Sequence, residues 1–466
     1  MKQENVWKTY TQEQLTELES LSGRYKAFLD AGKTERECVD EAVRLARAEG
    51  YRSLAEVREA GETLKAGDRV YDVCMNKMLA LFQIGRQPLY TGMRILVAHI
   101  DSPRLDLKQN PMYEDTELAY LDTHYYGGIK KYQWVTIPLA IHGVVAKKDG
   151  STVKICIGEK EDDPVVFVSD LLIHLAADQM DKKARLVIEG ENLDLLVGSR
   201  PLVQEEKEDK EKEKEAVKAN ILAILKEQFG IEEEDFLSAE LEIVPASKAR
   251  DCGLDRSMIM AYGQDDRVCA YTSLEAQLKV PVQERTCCCL LVDKEEIGSV
   301  GATGMQSRFF ENTVAELMDC AGEYSELNLR RCLSRSRMLS SDVSAAYDPL
   351  FAGCFEKKNS AYFGHGLVFN KFTGSRGKNG SNDANAEYIA AIRGMMEKHG
   401  VAFQTAELGR IDVGGGGTIA YISALYGMEV IDSGVAVLNM HAPMEVTSKA
   451  DVYEAVKGYT AFLMEA

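Results

Sequence analysis

Five short segments of the sequence carry side chains that could bind two metal ions and hydrolyse a substrate. Most follow or interrupt an apolar run, so they are predicted to lie at strand ends; they are residues 99–101, 265–267, 295–296, 341–342 and 440–441. Together they supply two histidines, a carboxylate that can bridge, a terminal ligand for each metal and one spare glutamate. This is a complete set for hydrolysis assisted by two metals.

His99 ends a predicted buried strand, and Asp101 follows two residues later. In an extended chain these two side chains share a face, so Asp101 can hold the His99 ring in one tautomer. Metal-binding histidines usually have such a partner. A lone histidine at a strand end is more often structural, and this spacing alone leaves a structural role and a metal ligand about equally open.

Glu295 and Glu296 follow an apolar run and precede two glycines, Gly298 and Gly301. Neither carboxylate can be buried without a partner. Because the two side chains point to different sides, one can bind metal while the other faces the substrate. An exposed turn is the alternative, but the glycines favour the functional interpretation because they let backbone approach a ligand closely.

Asp265 could use both carboxylate oxygens to bridge two cations, and its neighbours Asp266 and Arg267 could form a buried ion pair. An ordinary helix N-terminus is the alternative for this triplet. Asp342 and His441 are weak evidence when each is taken alone.

Four glycines, residues 414–417, precede Thr418 and a helical pattern. They do not form a phosphate-binding loop, because no lysine follows them and they are not in a first strand–helix unit. We predict instead a flexible wall, with Gly415 lying against the substrate backbone. The sequence has no Gly-x-Ser-x-Gly motif, which disfavours a serine hydrolase.

Two helices are predicted near the N-terminus, each beginning with a capping box. Thr11 pairs with Gln14 in the first, and Thr34 pairs with Glu37 in the second. The second helix should end near Gly50.

Strands are predicted next, over residues 69–84 and 94–100. The second is almost entirely apolar, which is typical of a strand buried on both faces at the centre of an α/β sheet. The run Cys287, Cys288 and Cys289 is interpreted as reduced, buried cysteines of another core strand in a cytosolic protein.

Residues 104–245 have a different pattern, with short strand candidates such as 152–157 separated by turn signals. We therefore predict an α/β fold. A mixed-sheet α/β/α domain (residues 1–103 and 246–466) is interrupted by an inserted, mostly-β domain (104–245). Within the insertion, the charged run 204–218 is interpreted as a solvated loop or surface helix rather than an interaction tail.

The net charge of −19 argues against nucleic acid and anionic membranes as partners. The polar opening residues predict no signal peptide, and no apolar run reaches membrane-spanning length. A cytoplasmic location is the expectation.

Taken in order, the five segments resemble the M18 metallo-aminopeptidases. The similarity covers residues 99–104, 295–299, 341–342 and 440–441, and residues 126–134 resemble the entry to the family's dimerisation domain. The resemblance implies removal of the N-terminal residue from peptides, and a hollow tetrahedral dodecamer built from dimers. Two alternatives remain open: another two-metal hydrolase, such as a dipeptidase or deacylase, and an inactive scaffold or cargo protein.

The resemblance also implies roles for individual residues. Glu295 would be the general base. Two divalent metal ions would be held by His99 with Asp342 and by Glu296 with His441, with Asp265 bridging them. Zinc suits these ligands best, although cobalt and manganese fit the same set.

The predicted substrate contacts depend on the same resemblance. Arg376 and Lys378, on the glycine-rich stretch 372–380, could pair with an acidic first side chain of the substrate. Cations that simply face solvent are the alternative. Asp170 stands where eukaryotic members carry a histidine that reaches a neighbouring subunit's site, and His174 in the same segment is predicted to bind substrate.

Overall fold

The computed structural model of the chain describes residues 4–203 and 215–465. The described residues divide into two compact units. The first contains residues up to 101, residues 248–440 and the residues from 445 onward. The second contains residues 102–247 and 441–444.

A nine-stranded mixed sheet forms the centre of the first unit. At its middle, Arg94–His99 lies parallel to both Cys287–Val292 and Arg337–Ser341, whereas Met78–Gln83 pairs antiparallel with Cys287–Val292. The strands follow one another across the sheet in the order Arg52–Ser53, Arg69–Cys74, Met78–Gln83, Cys287–Val292, Arg94–His99, Arg337–Ser341, Glu429–Gly434, Leu367–Asn370 and Phe403–Thr405. The mixed-sheet prediction is confirmed.

Residues of the central strands alternate between two apolar layers. Cys287 and Cys289 pack into one hydrophobic cluster and Cys288 into the other, and all three are buried free thiols. The first cluster is covered by Gln12–Ala31, Glu35–Ala48, Gln264–Lys279, Ala386–Lys398 and Lys449–Met464. The second is covered by Leu54–Glu59, Phe309–Cys320, Glu326–Arg335 and Ala420–Ala424. Helices on both faces give the predicted three-layer α/β arrangement.

The N-terminal helices begin where their capping boxes predict. Thr11 and Gln14 cap Gln12–Ala31, and Thr34 and Glu37 cap Glu35–Ala48, which ends before Gly50. The predicted strand region 69–84 is a hairpin of Arg69–Cys74 and Met78–Gln83.

A second, smaller sheet of the first unit carries chain segments that adjoin the candidate site in sequence. Its strands, in order, are Arg250–Cys252, Met258–Ala261, Glu445–Ser448, Ala436–Leu438 and Ser344–Ala345.

The second unit is built on a seven-stranded sheet. Its strands, in order, are Thr152–Ile157, Leu139–Ala146, Ala239–Pro245, Arg104–Asp115, Leu118–Tyr126, Leu195–Gly198 and Phe167–Val168. Its helices are Ala177–Met180 and Ala216–Phe229.

The predicted charged run 204–218 lies largely outside the described residues, which resume at 215. Its last residues begin the helix Ala216–Phe229, where Val217 is buried and the N–H groups of Val217 and Lys218 donate to the Glu114 carboxylate. Val217 is buried at this end of the run, while Glu215 is exposed and Lys218 is half-buried, so the described end of the run starts a surface helix, one of the two predicted forms. None of the described helices is both long enough and apolar enough to cross a membrane.

Candidate functional site

His99 is the last residue of the strand Arg94–His99 and is almost fully buried. Its Nδ1 lies 3.0 Å from the carbonyl oxygen of Asp101, and its Nε2 lies 3.2 Å from Oδ1 of Asp265. A carbonyl oxygen only accepts hydrogen bonds, so Nδ1 carries a proton. In the neutral ring this leaves Nε2 as the nitrogen that can bind a metal.

Asp101 is fully buried and holds three groups at once. Its Oδ1 accepts a hydrogen bond from the N–H of Glu295 (3.1 Å), and its Oδ2 accepts one from the N–H of Glu296 (3.2 Å). The same Oδ1 lies 3.3 Å from Nδ1 of His99. Sequence reasoning found only the contact with His99. The signal for the others is that Arg94–His99 and Cys287–Val292 run parallel and end at the same edge.

The two glutamates lie in a short 3₁₀ turn, Glu295–Ile297, just beyond the strand Cys287–Val292. Gly298 closes the turn at φ +95°, a conformation that glycine adopts without steric cost. Oε2 of Glu295 lies 4.0 Å from Nε2 of His99, and the Glu295 side chain keeps 16% of its surface exposed. Both glutamates of the turn are thus anchored at their backbone N–H groups, and the Glu295 carboxylate remains reachable by solvent.

Asp265 lies at the start of Gln264–Lys279, but it is not part of an ordinary helix N-terminus. Both Asp265 and Asp266 have non-helical backbone angles, and the peptide bond between them is cis. The N–H of Asp265 donates to Oε2 of Glu445 at 2.9 Å. The sequence analysis assigns no role to Glu445. The signal that could have indicated one is that a glutamate is the first residue of a fully buried strand, Glu445–Ser448.

Asp342 follows the strand Arg337–Ser341, and its N–H donates to the carbonyl oxygen of Ser433 at 2.8 Å. Its Oδ1 lies 3.9 Å from Nε2 of His99. Burial raises the pKa of the Asp342 carboxyl well above its usual range, and the nearby carboxylates of Glu295 and Asp266 raise it further.

These side chains form two overlapping groups among the described residues, with the ligand atoms of each group within 4.8 Å of one another. One group is His99, Glu295 and Asp342, and the other is His99, Asp265 and Glu296. Burial alone would lower the pKa of His99, but hydrogen bonds with Asp101 and Asp265 raise it well above the usual value. So many carboxylates around one imidazole are a donor set that fits divalent cations.

The remaining predicted ligand, His441, belongs to the second unit. Its Nδ1 lies 2.8 Å from the carbonyl oxygen of Gly128, so this ring too carries its proton on Nδ1 and keeps Nε2 for a metal. His174 is also in the second unit, exposed in the turn Ile173–Leu175. The roles of both histidines stay predictions.

The predicted substrate-binding residues of the first unit lie outside the two groups of ligands. Lys378 is exposed, with its Nζ 2.8 Å from Oδ2 of Asp383 and 4.0 Å from the centre of the Phe372 ring. Gly415 has φ +107° and is partly exposed. The side chain of Arg376 lies outside the described part of the structure.

Comparisons with known proteins show which family the chain belongs to. The family model described as "Aminopeptidase I zinc metalloprotease (M18)" matches residues 28–463. A "Probable M18 family aminopeptidase 1" of Clostridium acetobutylicum is 62% identical over 459 residues, which are 98% of this chain and 97% of that protein.

Solved structures give the same result. An M18 aminopeptidase from Thermotoga maritima has a TM-score of 0.94 at 43% identity, and aminopeptidase I from Clostridium acetobutylicum has a TM-score of 0.91 at 59% identity. Each comparison covers 100% of both chains. The chain therefore belongs to the M18 family of zinc metalloproteases, and it is a hydrolase of the aminopeptidase class.

Proposed function

We propose that this aminopeptidase removes the first residue of a peptide with the help of two divalent metal ions and with Glu295 as general base. The observation that carries the proposal is the pair of overlapping ligand groups. Asp265 shares a group with His99 and Glu296, which are predicted to be ligands of different ions. A bridging carboxylate needs such a position.

The residues would divide between the ions as follows: His99 and Asp342 on one, Glu296 and His441 on the other, and Asp265 on both. Zinc fits this set of imidazole and carboxylate ligands, as cobalt and manganese do. When bound, the ions would lower the pKa of the attacking water and polarise the scissile carbonyl group.

Glu295 would move the proton in this reaction. Its backbone N–H is held by Asp101, while its carboxylate retains solvent access. A glutamate whose backbone is fixed and whose carboxylate group is accessible to solvent can accept a proton from water and deliver it to the leaving amine. Asp101 would act through its partners, by holding His99 and both glutamates in place.

An acidic first residue of the substrate is the proposed preference, with Arg376 and Lys378 as the cations that would bind it and Gly415 as part of the wall beside the substrate backbone. The ion pair between Lys378 and Asp383 leaves less of the Lys378 charge for a substrate. His174 is the further predicted substrate contact.

We propose a homo-oligomer for the assembled protein, a tetrahedral dodecamer built from dimers through the residue 104–245 insertion. A yeast aminopeptidase of the same fold, 20% identical, is described as a dodecamer. The proposed location is the cytoplasm.

Two other functions make different predictions. A deacylase or dipeptidase with the same two-metal chemistry would act on substrates that lack a free α-amine. Hydrolysis of an N-acetylated peptide would therefore favour this alternative. An inactive scaffold would lack bound metal, and metal analysis of the purified protein would detect this.

The adjacent glutamates provide the decisive experiment. Glu295→Gln should retain both metal ions and the fold but lose roughly 10²–10⁴-fold in kcat, the usual contribution of a positioned general base. The matched variant Glu296→Gln should instead lose metal. Near-wild-type turnover by the Glu295 variant with its metals bound would contradict the assignment.

A further inference from the structure

Glu445 is a buried glutamate that the proposed reaction does not use. It is the first residue of the strand Glu445–Ser448, and only 1% of its surface is exposed. A carboxylate is rarely buried so completely without serving a specific partner. The partner here is the segment that carries Asp265.

Hydrogen bonds with Glu445 and Tyr25 hold this segment in place. Oε2 of Glu445 accepts from the N–H of Asp265 at 2.9 Å, and the backbone carbonyl oxygen of Glu445 accepts from Nε2 of Gln264 at 2.7 Å. Oε1 of Gln264 accepts in turn from the hydroxyl group of Tyr25 at 3.2 Å. Glu445 therefore contacts two consecutive residues, once through its backbone and once through its side chain.

The Asp265 backbone needs such a partner. The N–H groups of the first helical turn have no acceptors within the helix, and Asp265 precedes the regular part of Gln264–Lys279. A hydrogen bond from an N–H group to a buried carboxylate is stronger than one to a neutral acceptor. The Glu445 carboxylate thus fixes the backbone from which the Asp265 side chain extends toward His99.

We propose that Glu445 is a positioning residue for the metal site: it holds the Asp265 backbone so that the Asp265 carboxylate is already oriented when metal binds. This inference rests on the proposed function, because Asp265 is the proposed bridge. Residues that support metal ligands typically contribute 10–100-fold to metal affinity, so a loss of roughly that size is expected when the Glu445 side chain is truncated and no oxygen accepts the Asp265 N–H.

The test measures metal affinity by competition with a chelator, using Zn²⁺ as the probe. Glu445→Ala should bind Zn²⁺ roughly 10–100-fold more weakly. Glu445→Gln keeps an oxygen acceptor and should restore most of the affinity. The matched control is Glu454→Ala, because Glu454 is equally buried and its Oε2 accepts the N–H of Ala402 at 2.8 Å. This control removes the same kind of contact from another part of the first unit, together with a hydrogen bond from Tyr10 and an ion pair with Lys457, and it should leave the affinity for Zn²⁺ unchanged.

A second readout separates positioning from general destabilisation. The Glu445 variant should lose affinity for Zn²⁺. The melting temperature of its metal-free form should fall no further than that of the Glu454 variant. Wild-type affinity in Glu445→Ala, or an equal loss in Glu454→Ala, would overturn the inference. If the alanine variant does not fold, Glu445→Asp takes its place. Its shorter carboxylate should weaken Zn²⁺ binding, and unchanged binding would refute the role.

Asp265→Ala makes the two possible failures distinguishable. If this variant loses metal while Glu445→Ala does not, the positioning role fails and the proposed metal site stands. If both variants retain two metal ions, the bridging role of Asp265 fails, and the role of Glu445 fails with it.

Discussion

The first unit contains two contrasting regions. The candidate metal ligands are buried or fixed by hydrogen bonds, whereas the two glycine-rich segments, residues 372–380 and 414–417, are more exposed. His99 and Asp265 are buried, and the backbone of each candidate carboxylate is hydrogen-bonded to a neighbouring strand or carboxylate. In the glycine-rich segments, Lys378 is exposed and its charge is paired with Asp383. Ligands for metal require a fixed geometry, whereas a surface that receives different substrates can be adjustable.

The glycine-rich segments nevertheless have defined attachments to the sheet. The N–H of Gly416 donates to the carbonyl oxygen of Thr373 at 3.1 Å, which links the two segments to each other. The hydroxyl of Thr418 donates to Oδ1 of Asp432 at 2.6 Å, within the strand Glu429–Gly434. The buried Asp432 carboxylate therefore anchors the end of the 414–417 segment, whereas the candidate metal-binding carboxylates are each held by a hydrogen bond at the backbone N–H.

The largest effect is expected at Asp265, the proposed bridge. Asp265→Ala should lose both metal ions on dialysis, whereas Asp342→Ala should lose one, because a bridging carboxylate serves two ions and a terminal one serves a single ion. Catalytic efficiency, kcat/KM, should fall by more than about 100-fold, since the loss of supporting residues alone costs up to about that much.

Metal stoichiometry after dialysis is the direct measurement for this pair of variants. Two ions retained per chain in Asp265→Ala would show that Asp265 does not bridge. Equal losses in the two variants would show that the site does not distinguish bridging from terminal ligands.

The difference between the two regions also explains what the sequence could predict. In the sequence, a strand end is recognised as an apolar run that stops at polar residues. This pattern alone places His99, Glu295 and Asp342 at strand ends. Parallel pairing of the strands then brings these ends to one edge of the sheet. The capping boxes at Thr11 and Thr34 depend on residues three positions apart, and these too were predicted correctly.

Contacts between distant segments could not be predicted in this way. The sequence does not show that the Glu445 carboxylate reaches the Asp265 N–H, 180 positions away, or that Asp101 reaches both glutamates. The ion pair of Lys378 could not be predicted either. The sequence identifies Lys378 as a cation, but its pairing with Asp383 depends on how the loop folds back. Local patterns give the elements, and tertiary packing chooses the partners.

A smaller effect is expected at Asp432, the anchor of the 414–417 segment. Burial raises the pKa of the Asp432 carboxyl to about 7, although the hydrogen bond from Thr418 opposes this rise. Between the ordinary value near 4 and this raised value, the folded protein binds more protons at this site than the unfolded chain does. The contribution of Asp432 to folding stability therefore falls as pH rises through this window, by at most about 1.4 kcal/mol per pH unit.

Asp432→Asn cannot ionise and should remove this slope. The free energy of unfolding of the variant, relative to the wild type, should rise between pH 5 and pH 7 and stay constant above pH 7, as measured by urea denaturation. Asp451→Asn is the contrast. Its carboxyl pKa is also raised to about 7 by burial, but its two oxygens accept the N–H groups of Gly364 and Gly366. That variant should be destabilised at each pH. A difference between Asp432→Asn and the wild type that does not change with pH would contradict the raised pKa.

The smallest effects are expected in the 372–380 segment, and they decide whether it contacts the first side chain of the substrate. Lys378→Ala should lower kcat/KM for aspartyl and glutamyl substrates by no more than about fivefold and spare leucyl substrates, because an exposed ion pair contributes at most about 1 kcal/mol. Asp383→Asn should have the opposite effect on the acidic substrates, since it removes the carboxylate that now pairs with Lys378. Arg376→Ala tests the second cation on the same substrates. If Lys378→Ala and Asp383→Asn shift the acidic and leucyl substrates equally, Lys378 only stabilises its own loop, and the preference for the first residue must be set elsewhere in the site.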